Sequence, residues 1–351
     1  MKFDLSEDQQ LLRSATTEFL AAECPIETSR QLAETPGEGF SRKHWAKLAE
    51  LGYLGLCVSE RAGGQGLGPI ELAVVCHQLG RVCFAGPYLD VVLAAKALDT
   101  VGGRDDALGA IVSGESIVVI ARSDSVWPGV KGQTVLDRGR VTGSKYFVPY
   151  GASADRLVVT AGDACALVDG PFECIAMPTL DEAQRFAEVR LDHPAERLGG
   201  RRIVDGLDDW AALGAAAIAL GLCESALDRS LSYSRQRETF GKPIGAYQVL
   251  QHRMADMLLR TESTRSAVYR AAWALARNGQ DATLIASAAK AYAVESAGVI
   301  TRDSVQIHGG NGFTWEYDLH CFLKRALTLD QHYGASAVVA ERALRAFEAT
   351  L

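Results

Sequence analysis

Apolar residues recur at helical spacing through the first hundred residues of the chain. In the segment DQQLLRSATTEFLAAE, five of them share one face of a helix: Leu11, Leu12, Ala15, Phe19 and Leu20. Ser6, followed by two acidic residues, is a favourable helix start. A second helical pattern ends at Gly52, and a third begins at Pro69. The pattern predicts a helical N-terminal domain over residues 1–112.

The pattern then changes to short β-branched runs that are separated by turns. These runs read SIVVIAR, GRVTGSKYFVPYG, DRLVVTAG, ACALVDG and RFAEVRLDH. Short runs at such close intervals are typical of strands joined by tight turns. They predict a small antiparallel β-domain over residues 113–203.

Helical periodicity returns in the last part of the chain. Four long patterns follow one another: WAALGAAAIALGLCESALDRSLSYSRQR, AYQVLQHRMADMLLRTESTRSAVYRAAWALARNG, DATLIASAAKAYAVESAGVITRDSVQIHGG and DLHCFLKRALTLDQHYG. The first is rich in Ala and Gly, which suits close helix packing. Because the connections are short, the patterns predict an antiparallel four-helix bundle over residues 204–351. The expected fold class is α+β, in the order helical domain, β-domain, helical bundle.

Composition and charge narrow the function classes. The net charge is −7 without a local cluster of Lys and Arg, which argues against a nucleic-acid partner. The N-terminus shows no signal-peptide pattern, and the longest apolar run, Ala211 to Cys223, is too short for a membrane span. The cysteines and histidines lack metal-ligand spacing. We therefore expect a cytoplasmic protein with no metal site and no membrane partner.

Two segments carry candidate chemistry: RQRETFGKPIGAYQVLQHRMADM, from Arg235, and QIHGGNGFTWEYDLHCFLKRA, from Gln306. In the first, a helix end would present the Arg237 guanidinium to a phosphate, and the Gln248 amide could pair with a purine edge. In the second, an amide precedes two glycines whose bare backbone could approach a ligand. Without further evidence, an arginine in the first pattern is more often an ordinary surface charge, and glycines as in the second pattern more often form an ordinary loop.

Both segments resemble signature segments of the acyl-CoA dehydrogenase family, and the order of domains is similar over the whole chain. The resemblance implies FAD held at a dimer interface of a tetramer. The matching segments reach the pyrophosphate and adenine side of an FAD whose flavin ring belongs to the neighbouring subunit. The residues implied in cofactor binding are Arg237, Thr239, Phe240, Gln248, Gln306, Ile307, His308, Gly309 and Gly310. His308 is expected to be structural or close to the cofactor, and not a base.

The resemblance also implies a reaction, the α,β-dehydrogenation of an acyl-CoA thioester. A carboxylate removes the α proton while the β hydrogen leaves as hydride to the flavin, and electrons then pass to a separate acceptor protein. The α carbon is a weak acid, so the reaction needs donors on the thioester oxygen and a well-placed base.

The chain departs from the family where that base is expected. The common position of the glutamate is Tyr333, and the following flavin-contacting Thr is Ala335. A tyrosine, with an ordinary pKa of about 10, is a poor base at neutral pH. The other position known in the family falls on Ala211, with Ala212 in place of an arginine.

Three nearby aspartates could replace the missing base: Asp208, Asp209 and Asp330. For each, a helix cap or a solvated surface charge is the more common role. The β-domain departs from the family as well, because the flavin-lining loop is replaced by ARSDSVWPGVKGQ. The flavin-supporting strand is replaced by YFVPYG, in which Pro149 removes a backbone donor.

The losses affect the residues that would hold the chain's own flavin ring, while those that serve a neighbour's FAD remain. The leading hypothesis is therefore a partner (β-type) subunit of a heteromeric acyl-CoA dehydrogenase, whose homologous catalytic subunit carries the base. Bulky steroid or sterol thioesters are a substrate suggestion by analogy. The alternatives are a self-sufficient homotetramer with a relocated carboxylate and a non-enzymatic scaffold that binds CoA thioesters.

Overall fold

The computed structural model describes residues 4–127 and 134–350. The first third of the chain is helical, as its apolar periodicity predicts. Six helices follow one another: α1 (Glu7–Glu23), α2 (Ile26–Glu34), α3 (Arg42–Glu50), α4 (Pro69–Arg81), α5 (Tyr88–Val101) and α6 (Asp105–Val112). Ser6 caps α1 by a reciprocal pair of hydrogen bonds with Gln9, so the predicted helix start is confirmed.

The described residues in the middle of the chain form eight strands: β1 (Val118–Ala121), β2 (Val135–Asp137), β3 (Arg140–Pro149), β4 (Arg156–Ala161), β5 (Ala164–Asp169), β6 (Glu173–Met177), β7 (Phe186–Pro194) and β8 (Glu196–Gly199). They make two four-stranded sheets, ordered β1-β4-β5-β8 and β2-β3-β7-β6.

One strand pair differs from the predicted antiparallel arrangement. β1 pairs with β4 in parallel, with Val118 opposite Arg156, whereas the other pairs of these two sheets are antiparallel. The chain leaves β1, forms β2 and β3 in the other sheet and only then returns as β4. A crossover of this kind permits the parallel pairing that a short hairpin forbids.

The C-terminal part contains α7 (Arg201–Gln236), the short strands β9 (Glu238–Thr239) and β10 (Lys242–Pro243), then α8 (Gln248–Ala276), α9 (Ala282–His308), α10 (Leu319–Gln331) and α11 (Ser336–Glu348). The prediction of four helices omitted α11. The break comes at Gly334, with φ of 95°, after which Ser336 begins a new helix. The sequence of α11 is amphipathic, but it begins only a few residues after α10 ends. The sequence pattern alone therefore did not show that α10 and α11 are two helices.

The described chain divides into two units. One, which we call the helical unit, comprises Met1–Arg30, Ala73–Phe84 and Ala212–Leu351. The other, the mixed unit, comprises Gln31–Leu72 and Ala85–Ala211 and contains the two sheets. Neither unit is continuous in sequence, and the predicted boundaries after residues 112 and 203 stay predictions.

Close packing of α4 against α7 explains the Ala- and Gly-rich sequence of α7. A Cβ atom added to Gly80 would collide with the backbone at Ile218, and one added to Gly221 would collide with the backbone at His77. The two helices therefore touch backbone to backbone through glycine. By length and composition α7 could also cross a membrane, but 89% of its apolar window is buried within the protein, as in a core helix.

Candidate functional site

The first signature segment forms a tight hairpin directly after α7. Lys242 of β10 pairs with Thr239 of β9, and the turn between them has positive φ at Phe240 (53°) and Gly241 (78°). Two consecutive positive φ values match the twist of a two-residue hairpin. The Tyr247 hydroxyl donates to the Thr239 carbonyl at 3.1 Å, which ties the hairpin to the start of α8. Phe240 projects from the turn and is 97% exposed.

Arg237 combines a fixed backbone with an available side chain. Its N–H donates to the Tyr233 carbonyl at 2.8 Å, and its own carbonyl accepts from the Ile244 N–H at 2.8 Å. The guanidinium is exposed, and no acidic side chain of residues 4–127 or 134–350 pairs with it. Gln248 is likewise exposed in the first turn of α8. The charge of Arg237 and the amide of Gln248 are therefore presented to solvent, from the hydrogen-bonded hairpin and from the start of α8.

The second signature segment lies at the end of α9. Gln306 is exposed, and Gly309 ends the helix with φ of 60°. A Cβ atom added to Gly309 or Gly310 would have no atom within 4 Å, so both glycines border open space. A Cβ on Gly312, by contrast, would collide with the Val305 backbone, so the turn itself needs glycine there.

The structure brings these two segments together within the helical unit. The Tyr233 ring, on the last turns of α7, stacks on His308 with 4.2 Å between centroids. Its hydroxyl donates to the His308 carbonyl at 3.4 Å and accepts from Asn311 Nδ2 at 3.3 Å. Sequence reasoning missed Tyr233 and Asn311. The only signal was that Tyr233 lies one helical turn before Arg237 and therefore shares its face.

Two of the implied cofactor residues are buried. Ile307 is 5% exposed, so its side chain belongs to the packing of α9 and only its main chain remains for a ligand. His308 is also 5% exposed, and its Nδ1 lies 2.8 Å from the Ser304 carbonyl oxygen. Burial lowers the pKa of His308, against the opposing effect of that hydrogen bond. A neutral, buried imidazole agrees with the expected structural role.

The groups that remain exposed fit the dinucleotide part of FAD. A guanidinium suits a pyrophosphate, the two amides suit a purine edge, and bare glycine backbone permits close approach. The projecting Phe240 adds an apolar surface for a ring. By donor chemistry, Arg237, Gln248, Gln306, Gly309 and Gly310 would hold the diphosphate and adenine.

The expected base position is a closed turn without a carboxylate. Tyr333 has φ of 61°, and its ring lies 3.8 Å from that of His332. The turn is held by Lys290 of α9, which is 0% exposed and donates to the carbonyls of His332, at 2.8 Å, and of Gly334. Sequence reasoning missed this lysine, because it lies 43 positions before Tyr333 in the chain.

The alternative base candidates stand in different environments. Asp208 forms an ion pair with Arg122. Asp209 is 8% exposed on α7, and the family's other glutamate position, Ala211, is fully buried. Asp330 accepts a hydrogen bond from Gln331 Nε2 at 3.0 Å through Oδ2, while its Oδ1 is buried without a hydrogen-bond partner in the described part of the chain.

The two altered segments of the mixed unit are irregular. In YFVPYG, both Phe147 and Tyr150 have φ of 50°, and the register of β3 against β7 shifts between Lys145 and Val148. The ARSDSVWPGVKGQ loop is described only as far as Trp127, and the rest of this prediction lies outside the described residues. The start of the loop is anchored by an ion pair of Asp124 with Lys145. Burial lowers the pKa of Lys145, and the ion pair with Asp124 offsets only part of this effect.

Comparison with known proteins identifies the family. The model described as "Acyl-CoA dehydrogenase, N-terminal domain" matches residues 6–106, and "Acyl-CoA dehydrogenase, C-terminal domain" matches residues 199–347. The chain therefore belongs to the acyl-CoA dehydrogenase family. The expected fold class and the expected cofactor, FAD, are confirmed; the individual binding residues stay predictions.

Individual relatives are similar over nearly the whole chain. The acyl-CoA dehydrogenase IpdE2 of Mycolicibacterium smegmatis is 31% identical, covering 92% of this chain and 93% of the relative. Acyl-CoA dehydrogenase FadE27 of Mycobacterium tuberculosis is 30% identical over 93% of each chain. Among solved structures, the ChsE4-ChsE5 complex from Mycobacterium tuberculosis matches with a TM-score of 0.89 and 28% identity, over 99% of each chain. A variant of the Tcur3481-Tcur3483 steroid ACAD matches with a TM-score of 0.90 and 25% identity, over 98% of each chain.

Proposed function

We propose that this chain is the partner subunit of a heteromeric acyl-CoA dehydrogenase and completes the FAD site of a homologous catalytic subunit. One observation carries the proposal. Arg237, Gln248 and Gln306, which would serve a neighbour's FAD, are presented to solvent, whereas the base position is a tyrosine in a turn closed by Lys290. A chain that needed its own base would be expected to retain a carboxylate at that turn.

The division of chemistry follows from these groups. Bound FAD would supply the acceptor for the hydride that leaves the β carbon of the acyl-CoA thioester. This chain's Arg237 would balance the diphosphate charge, and Gly309 and Gly310 would let the backbone approach it. The base that removes the α proton would come from the catalytic subunit. A separate acceptor protein would then take the electrons.

Two similar structures support an assembly from different chains. One is named a ChsE4-ChsE5 complex, and the other is a steroid ACAD named by two designations. By analogy, we propose a bulky acyl-CoA, of the size of a steroid side-chain thioester, as the substrate class.

A second candidate function rests on Asp330. Its buried Oδ1 has no hydrogen-bond partner among the residues that the structure describes, and it lies one turn before Tyr333. This favours a self-sufficient homotetramer in which Asp330 is the relocated base. A non-enzymatic scaffold is disfavoured, because a scaffold has no need of an exposed Arg237 on a fixed hairpin.

The test is the flavin content of the purified chain, alone and co-expressed with a homologue that carries the glutamate. The proposal expects little FAD on the single chain and stable FAD on the complex. Stoichiometric FAD with dehydrogenase activity on the single chain would establish the homotetramer instead. Absence of FAD from both preparations would favour the non-enzymatic scaffold.

Arg237→Ala tests the cofactor assignment within the complex. Loss of one charge-assisted contact should weaken FAD binding about tenfold to a hundredfold. Arg345→Ala, which removes an exposed arginine on α11, is the matched control and should leave FAD binding unchanged. Equal FAD affinity in the two variants would contradict the assignment.

A further inference from the structure

Tyr233 occupies the point at which the two exposed segments of the proposed cofactor site meet. Its carbonyl accepts the hydrogen bond of the Arg237 N–H at 2.8 Å, so Tyr233 and the start of the hairpin belong to one helical turn. One turn earlier, the Ser230 hydroxyl donates to the Ser304 hydroxyl at 2.9 Å. The last turns of α7 and α9 are therefore in contact directly before Tyr233.

The Tyr233 side chain contacts the second segment through both its ring and its hydroxyl. Its ring is nearly parallel to that of His308, with 24° between the planes, and Tyr317 packs edge-on against both rings at 6.1 and 5.8 Å. Its hydroxyl donates to the carbonyl of His308, the last residue of α9. The same hydroxyl accepts from Asn311, in the 3₁₀ turn that contains the two glycines.

The glycines need such support. Gly309 and Gly310 border open space, and their backbone has no side chain of its own to restrict it. Glycine loses more conformational freedom on ordering than any other residue, so fixing its backbone costs free energy. A loop held in place before the ligand arrives spares part of that cost at binding.

We infer that Tyr233, through His308 and Asn311, is a positioning residue that holds the Arg237 hairpin and the Gly309–Gly310 turn as one preformed half-site for the dinucleotide. The inference rests on the proposed function for the identity of the ligand. Tyr233 acts through its neighbours and not by touching FAD.

The experiment uses the complex with the catalytic subunit and three variants of this chain. Tyr233→Phe removes the hydroxyl and keeps the ring stack, Asn311→Ala removes the amide, and Tyr233→Leu removes the stack as well. Tyr292→Phe, on the half-exposed part of α9, is the matched control. FAD affinity is measured by fluorescence titration of the deflavinated complex, together with Tm and hydrogen exchange of residues 309–313.

Tyr233→Phe and Asn311→Ala should each raise the Kd for FAD by about threefold to tenfold, the effect of one net hydrogen bond. Exchange at residues 309–313 should become faster, while Tm and the KM for acyl-CoA at saturating FAD should stay at the control value. A purely structural tyrosine would instead lower Tm and leave the FAD affinity unchanged.

Arg237→Ala separates the two possible failures. Normal FAD affinity in Tyr233→Phe and Asn311→Ala, with weakened affinity in Arg237→Ala, would overturn the role of Tyr233 and leave the proposed function standing. Normal FAD affinity in Tyr233→Phe, Asn311→Ala and Arg237→Ala would overturn both the role of Tyr233 and the proposed function. Should Tyr233→Leu fail to fold, the Phe and Asn311 variants still decide the question.

Discussion

At the scale of single residues, the structure adds mainly the contacts that hold the predicted site residues in place. The resemblance predicts which positions would face the cofactor, because the motifs are local in sequence, and these assignments stay predictions. It could not reveal Lys290 beneath Tyr333 or Tyr233 beside His308, since both contacts join positions more than 40 residues apart. It also gave no sign that the Ile307 side chain is buried, which leaves the main chain of Ile307 for the predicted cofactor contact.

Tyr333→Phe should leave the activity of the complete complex nearly unchanged. The ring and the positive φ are retained, and the hydroxyl has no role as a base under the proposed function. Removal of a true general base would cost about 10²–10⁴-fold in rate. Steady-state turnover of acyl-CoA distinguishes these outcomes, and a loss in that range would show that Tyr333 takes part in proton transfer.

The reciprocal change, Tyr333→Glu in the isolated chain, should restore little dehydrogenation. The new carboxylate would stand in a turn fixed by Lys290, with Ala335 next to it in place of a flavin contact. Efficient turnover by this single variant would mean that the chain has a flavin pocket of its own.

His308→Asn should reduce the dependence of stability on pH. Burial lowers the pKa of His308, so the unfolded chain binds this proton at a higher pH than the folded chain. The free energy of unfolding therefore falls as pH drops through the ordinary histidine value of about 6.5. In the variant, whose amide can still donate to Ser304, Tm should fall less between about pH 7.5 and pH 5.5. The exposed His252 on α8, changed to Asn, is the control; equal slopes in the two variants would contradict the burial effect.

At the scale of elements, local patterns predicted well and non-local pairings did not. The helices and most strands follow from periodicity and turn residues, and the glycines of α4 and α7 lie at the close helix crossing that an Ala- and Gly-rich α7 suggested. The parallel pairing of β1 with β4 depends on a crossover through another sheet. No pattern within β1 itself encodes which strand becomes its neighbour.

An ion-pair cluster joins three of these helices and gives an element-scale prediction. Glu224 of α7 lies 2.8 Å from His77 Nε2 and pairs with Arg81, both on α4, and with Arg265 of α8 at 2.5 Å. Burial alone would raise the pKa of Glu224, but the hydrogen bond and charge of His77 and the two arginines lower it to about 2. The carboxylate therefore stabilises the fold above about pH 4.5, and this contribution is lost as pH falls towards 2.

Glu224→Gln should lower the free energy of unfolding at pH 7 by about 2–4 kcal/mol, below the full effect for a buried pair because both arginines are partly exposed. Glu262→Gln, which removes a half-exposed partner of the same Arg265, should cost less than about 1 kcal/mol. Urea denaturation of both variants provides the measurement. A similar loss in the two would show that the burial of Glu224 has no special effect.

At the scale of the whole molecule, the sequence predicted the family but left the assembly open. The helical unit carries large apolar side chains at its surface, among them Phe240 (97% exposed), Phe313 (74%), Val249 (67%) and Leu259 (67%). Exposed aromatic and aliphatic residues of this size are common at protein interfaces. Their number agrees with an oligomer, but apolar surface alone does not distinguish a second copy of this chain from a different subunit.

Cofactor stoichiometry makes that distinction. If each FAD takes its flavin pocket and base from the catalytic subunit and its second set of contacts from this chain, the complex should contain one FAD for every two chains. A homotetramer with a complete site in each chain would contain one FAD for every chain. Absorbance of the released flavin, divided by the chain concentration from amino-acid analysis, gives the ratio, and the mass of the complex gives the number of chains. A ratio near one half, in a complex with equal numbers of the two chains, fits the partner role. Half of the chains then contact FAD without holding a flavin ring of their own. A ratio near one in that complex would mean that this chain also holds a flavin, and the altered turn at Tyr333 would then need a catalytic explanation.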